Sequence, residues 1–182
     1  MHGRMRVMDA DRIAFALDLV ADHFDQAKPA RMLRGIALST KGPNAHGDGF
    51  NVGGMIELDG ATPLLLDHDP LRPLGVLRSL SPRGDALHVE AEITNTDRQF
   101  WTAQAWPRIA SGEWVALSIG AARVGPRIGA TFHKWALTEV SIVSVGADAH
   151  ARVVEVYEMD RVLHLEKSSM KRVLWRERKA SR

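Results

Sequence analysis

From Leu87 to Thr94 the chain alternates without a break. Leu87, Val89, Ala91 and Ile93 fall on one parity, and His88, Glu90, Glu92 and Thr94 on the other. A period of two marks a strand with one buried face. The same reading predicts strands over 32–39, 52–58, 63–66, 74–80, 114–121 and 153–157, with 132–135 and 137–145 as two more strands or one bent strand. Turn-forming clusters separate them: KGPNAHGDGF over 41–50, Asp59-Gly60, Ser81-Pro82-Arg83-Gly84 and 125–129. The 74–80 and 87–94 segments read as a hairpin about Pro82 to Gly84.

Helical periodicity is rarer. Ile13, Leu17, Val20 and Phe24 recur at helical steps, with Asp9 or Asp11 available to cap, and Pro29 ends the pattern. Ile13, Phe15, Leu17 and Leu19 also alternate, so a strand stays open there; the helix is preferred. Thr96 and Gln99 have capping-box spacing ahead of Phe100, Ala103 and Ala110, and Gly112 suits the end of that helix. Pro107 inside it predicts a kink or split. A basic segment, read as helix, closes the chain. The count is about seven short strands, a central helix and two terminal ones. Short strands with glycine turns favour a barrel or sandwich over a parallel sheet. The expected division is an N-terminal arm over 1–30, a β domain over 31–158 and a basic tail over 159–182.

Composition narrows this picture. At 182 residues and 45% apolar, one domain with a proper core is expected, not a disordered chain. No apolar run approaches the roughly 18 residues that span a bilayer, and no signal peptide is read at the start. Without cysteine there is no disulfide framework, thiol nucleophile or thiolate metal site. The net charge of +2 conceals a local excess. Lys167, Lys171, Arg172, Arg176, Arg178, Lys179 and Arg182 face one Glu177. Such a run is either a solvated face or a docking tail for an acidic partner or nucleic acid. With only Trp175 interleaved, specific nucleic-acid reading is not expected. Nucleotide-binding glycine loops, H-E-x-x-H and G-x-S-x-G are absent, so no cofactor and no metal are expected.

The residues that can carry chemistry sit at strand ends. His68 follows an apolar strand in LLLDHDP, between Asp67 and Asp69, where it can act as a base or remain a loop histidine. Ser118 in WVALSIGA shares a face with Ala116 and Gly120, leaving room for a substrate backbone. The alternative is a core serine. Glu139 in LTEVSIVSV shares a face with Ser141, and a carboxylate in so apolar a strand needs a partner. That partner is either a histidine it orients or a salt bridge to Arg123 or Arg127. A metal-dependent hydrolase built on His46, Asp48, His68 and Asp69 is a third option.

Together, LLLDHDPLRPLGVL, SGEWVALSIGA and KWALTEVSIVSV, preceded by GIALSTKGPNAHGDGF, resemble the phage prohead maturation proteases of the HK97 type. The resemblance covers 34–151. It departs at Ala121, where the family commonly has an aromatic, and at Gly146-Ala147-Asp148-Ala149-His150, where it commonly has a Pro-Ala-Asn-Pro turn. What it implies is a mainly β fold with flanking helices, a herpesvirus-protease-like antiparallel β-barrel of about seven strands. It implies a serine endopeptidase with His68 as base and Ser118 as nucleophile. Glu139 is the first choice as third member, with Asp148, His133 and His150 behind it. Arg123, Arg127 or backbone N–H groups would hold the oxyanion. Implied substrates are the scaffold protein, the major capsid protein and the protease itself, inside an assembling prohead in the host cytoplasm. A homodimer is consistent with the resemblance, and no membrane is involved. A non-catalytic assembly protein that keeps the fold is the alternative.

Overall fold

Strands with one apolar face must hide it, and seven of them here do so by closing on themselves. The structure, a computed structural model, describes residues 10–21, 23–58, 60–96 and 100–161, and the backbone of 170–176. The ring runs β1 (Ala30–Ser39), β6 (Ala86–Ile93), β5 (Asp69–Arg83), β4 (Pro63–Leu66), β10 (Trp135–Val143), β7 (Ala116–Arg123) and β11 (Arg152–Met159), and β11 returns to β1. This is the mainly β barrel that the resemblance implies; the strand pattern alone leaves a sandwich open. Its pairings are antiparallel except β4 with β10, which is parallel. Beside β10, β3 (Met55–Ile56) adds a short parallel pairing. A small second sheet joins β2 (Gly49–Phe50), β9 (Thr131–Phe132) and β8 (Arg127–Ile128).

The inward residues form one core that includes Leu33, Leu64, Leu66, Leu87, Leu117, Leu137, Val140 and Ile142. The helix α1 (Ala10–Ala21) explains why β4 reads Leu-Leu-Leu rather than alternating. Leu64 and Leu66 face the core, while Leu65 packs on Ala16 and Ile13 of α1. Both faces of β4 are therefore dry. Asn95 ties down the link after α1, with its amide donating to the carbonyls of Asp25 and Pro29 at 2.8 and 3.1 Å. The helix α2 (Phe100–Ala110) adds Ala105, Trp106 and Ile109 to the core.

Four local expectations change. Residues 52–58 do not form one strand: Asn51 accepts from the Gly53 N–H at 3.1 Å and caps a 3-10 turn over Val52–Gly54, leaving only β3 extended. The Thr96 hydroxyl donates to the His23 carbonyl at 3.1 Å, and Gln99 lies outside the described residues. Pro107 does not split α2, which runs through it to Ala110, with Gly112 at φ +79 in the turn that follows. Met170–Arg176, expected as helix, is a strand, β12, antiparallel to β11. Val173 and Trp175 favour extended backbone, and the edge of β11 that β7 leaves free after Arg152 offers a partner. The other tail residues, Lys167, Glu177, Arg178, Lys179 and Arg182, lie outside the described residues.

Candidate active site

The site begins with a bulge. Trp135 and Leu137 point into the core, and strict alternation from them would send Glu139 and Ser141 inward as well. The register slips at Thr138, from Leu137 opposite Ala121 to Glu139 opposite Gly120. The extra residue reverses the parity. Val140 and Ile142 take the inward places, and Glu139 and Ser141 turn to the other face. In the shifted register Ser141 lies directly opposite Ser118 on β7. Directly paired residues have Cβ atoms about 5 Å apart on one face. Glu139, Ser141, Ser118 and Gly120 thus form a two-by-two block.

Gly120 has a clear reason to be glycine. A Cβ there would sit 2.5 Å from Glu139 Oε1 and 2.8 Å from Thr138 Oγ1. The sequence reading assigned that space to a substrate backbone; the Glu139 carboxylate fills it instead.

The third strand delivers the imidazole. Leu66 pairs with Asp69, so β4 and β5 are joined by a two-residue turn of Asp67 and His68, at φ +52 and +60. A turn with both central residues left-handed follows the strand twist, and glycine or asparagine usually fills it. Aspartate and histidine tolerate that region better than most residues, yet each position still costs about 1 kcal/mol or more. The turn is held from both sides. The Asp67 N–H donates to the Ile142 carbonyl at 2.9 Å and the His68 N–H to Ser141 Oγ at 3.1 Å. On the solvent side Arg72 bridges Asp69 at 3.0 Å and Asp67 at 3.4 Å.

So placed, His68 Nδ1 lies 2.6 Å from Glu139 Oε1, and Ser141 Oγ donates to Glu139 Oε2 at 2.8 Å. A carboxylate only accepts, so Nδ1 carries the proton in the neutral ring and Nε2 keeps its lone pair. The hydrogen bond to Glu139 outweighs partial burial, and with the charges of Glu139 and Asp67 it holds the His68 pKa above the ordinary 6.5. The Glu139 side chain is 2% exposed and that of His68 45%. The acid is sealed and the base open. The Ser118 hydroxyl, half-buried on the same face, makes no hydrogen bond among the described residues and is available as a reacting group.

The other sequence candidates go elsewhere. Asp148 accepts from the N–H groups of Ser39 and His150 at 2.6 and 2.8 Å, and His133 is exposed. Arg123 and Arg127 stack on Phe132, at 4.6 and 5.5 Å, and Arg127 also pairs with Asp48 at 3.1 Å. Arg123 is five residues from Ser118 along β7, and so on the opposite face. Neither arginine pairs with Glu139, whose partner is His68. His46, Asp48, His68 and Asp69 do not converge: no group of three or more acidic or histidine ligands exists among the described residues. A cleft of 260 Å³ lined by Leu58, Thr62, Arg78 and Leu80 includes none of His68, Ser118 and Glu139. Sequence reading missed the role of Ser141; its signal was the E-x-S spacing on one strand face.

No family model matches the chain, and no curated protein matches it. Among solved structures it is similar to a KSHV protease in complex with a hexapeptide phosphonate inhibitor. Identity is 12% and the TM-score 0.49, over 69% of this chain and 64% of that one. The chain thus spans less than two thirds of that protein's length. The likeness is one of fold, and what the site can do rests on its own side chains.

Proposed function

We propose that the chain is a serine endopeptidase of the prohead maturation type, with Ser118 as nucleophile, His68 as general base and Glu139 as the acid that orients it. One observation supports this most: the bulged β10 puts a sealed carboxylate on His68 Nδ1, on the sheet face that carries Ser118. In this reading Nε2 takes the Ser118 proton as Oγ attacks a peptide carbonyl. The imidazolium then returns that proton to the leaving amine. Water, deprotonated by the same nitrogen, hydrolyses the acyl-enzyme. With both arginines drawn to Phe132, backbone N–H groups are the proposed oxyanion donors. The substrates proposed are scaffold protein, major capsid protein and the chain itself, within an assembling prohead in the host cytoplasm, with a homodimer as the working form.

The test is the mass of scaffold and capsid proteins recovered from proheads assembled with wild-type chain or Ser118→Ala. The reading expects shortened products with wild type and full-length proteins with the variant. Equal processing in both would favour an assembly protein that uses the barrel without catalysis.

A further inference from the structure

β10 carries two hydroxyl-bearing residues, Thr138 and Ser141, both buried, and only Ser141 has its hydroxyl engaged with the site. Thr138 Oγ1 is buried with no partner, and the Ser118 hydroxyl across the sheet is unbonded among the described residues. Ser141 is 0% exposed, so it cannot touch a substrate. A hydroxyl has one proton to give and lone pairs to accept with. Here the proton goes to Glu139 Oε2 at 2.8 Å, and a lone pair receives the His68 N–H at 3.1 Å. Val140 and Ile142 flank Ser141 in sequence, and both belong to the core. An unmatched hydroxyl there would be a cost, and this one is matched on both sides.

We infer that Ser141 is the positioning residue of this site: its single hydroxyl holds the Glu139 carboxylate and the backbone of the turn that carries the imidazole. The two elements it joins come from opposite directions. Glu139 is two residues away on the same strand, whereas His68 sits in a left-handed turn between β4 and β5. Left to itself that turn has no reason to present its imidazole to one oxygen of one carboxylate. With Ser141 holding Oε2, Oε1 is the oxygen that meets Nδ1. With Ser141 accepting from the His68 N–H, the ring starts from a fixed backbone position. The exposed Arg72 bridge to Asp67 and Asp69 braces the turn from outside; exposed pairs of this kind contribute little.

The consequence for rate rests on the protease reading, while the consequence for geometry does not, and the experiment separates them. Ser141→Ala and Ser141→Thr are compared with wild type in the full chain. One readout is the NMR titration of the His68 ring, the other the rate of Ser118 labelling by a fluorophosphonate. The charged groups facing His68 are Glu139 on β10 and Asp67, Asp69 and Arg72 around its own turn, all unchanged in these variants. Ser141→Ala is expected to lower the His68 midpoint toward 6.5 and to slow labelling about 10–100-fold, the scale of loss when the partner that orients a metal-bound histidine is removed. Ser141→Thr, which keeps the hydroxyl, restores both. A folded Ser141→Ala chain with an unchanged midpoint overturns the inference, even if labelling is slowed. A lowered midpoint with no labelling of wild type upholds Ser141 as positioning residue and removes the protease reading instead. Should the alanine variant not fold, a threonine variant with the ordinary histidine midpoint overturns the inference equally.

Discussion

Glu92 on β6 and Glu139 on β10 are both strand carboxylates withdrawn from water, at 4% and 1% exposure. Their partners differ in kind. Glu92 accepts from Arg78 Nε at 2.8 Å and Nη2 at 2.5 Å, and from Arg161. A guanidinium keeps its charge at any pH a protein survives. Glu139 receives a hydroxyl and an imidazole, and the imidazole gains and loses its proton near neutrality. The first arrangement is fixed, pinning the N-terminal segment and 161 to the barrel. The second changes its charge when a proton moves, and its histidine side chain is 45% exposed. Burial alone does not separate a structural carboxylate from one that can serve chemistry; the partner does.

That contrast can be broken by the same substitution at each place. Glu139→Gln leaves shape and volume but offers Nδ1 an amide, which permits the wrong tautomer; in serine triads that change costs about ten-thousand-fold in kcat. Here it should do so with KM and thermal midpoint little changed, as peptidase kinetics and calorimetry would show. Loss of the fold instead would make Glu139 a second Glu92. Glu92→Gln should do the reverse. Breaking a buried pair costs about 3 kcal/mol or more, reduced here because the Arg78 side chain is half exposed. Urea unfolding should show the loss, and kcat of the folded fraction should stay at the wild-type value.

The smallest effect concerns pH. The His68 pKa is raised in the folded chain by the Glu139 hydrogen bond. The stability this contributes is fully present below about 6.5, the unfolded value. It is lost as pH rises through the higher folded value. Melting curves between about pH 5 and 9 should show this decline in wild type and not in Glu139→Gln. A Glu92→Gln chain should keep it, because the His68–Glu139 pair is untouched there. In the proposed mechanism the same raised pKa would set the acid limb of activity, since only neutral His68 can accept a proton.

How much of this was legible beforehand depends on what each residue needs. The barrel strands follow from alternation, clearest at Leu87 to Ile93, because one buried face imposes a period of two. The turn at Asp67 and His68 was visible as a strand exit, and Glu139 as a carboxylate in need of a partner. The choice of His68 over Arg123 or Arg127 was not, because it depends on the bulge at Thr138. One extra residue in a strand leaves no mark in composition, yet it decides which side chains face the core. The same bulge gives Gly120 its reason to be glycine, by turning the Glu139 carboxylate against it. β12 is not legible as a strand, because the free edge of β11 that it pairs with exists only in three dimensions, and the charges of 170–176 suit a helix equally well.

The central claim is that Ser118 is activated by a His68–Glu139 pair. The most direct measurement is the intact mass of the full chain after exposure to a fluorophosphonate probe, for wild type, Ser118→Ala and His68→Ala. The account predicts a single adduct on wild type, none on Ser118→Ala and none within the same time on His68→Ala. An unlabelled wild type, or an adduct that persists in Ser118→Ala, would contradict it.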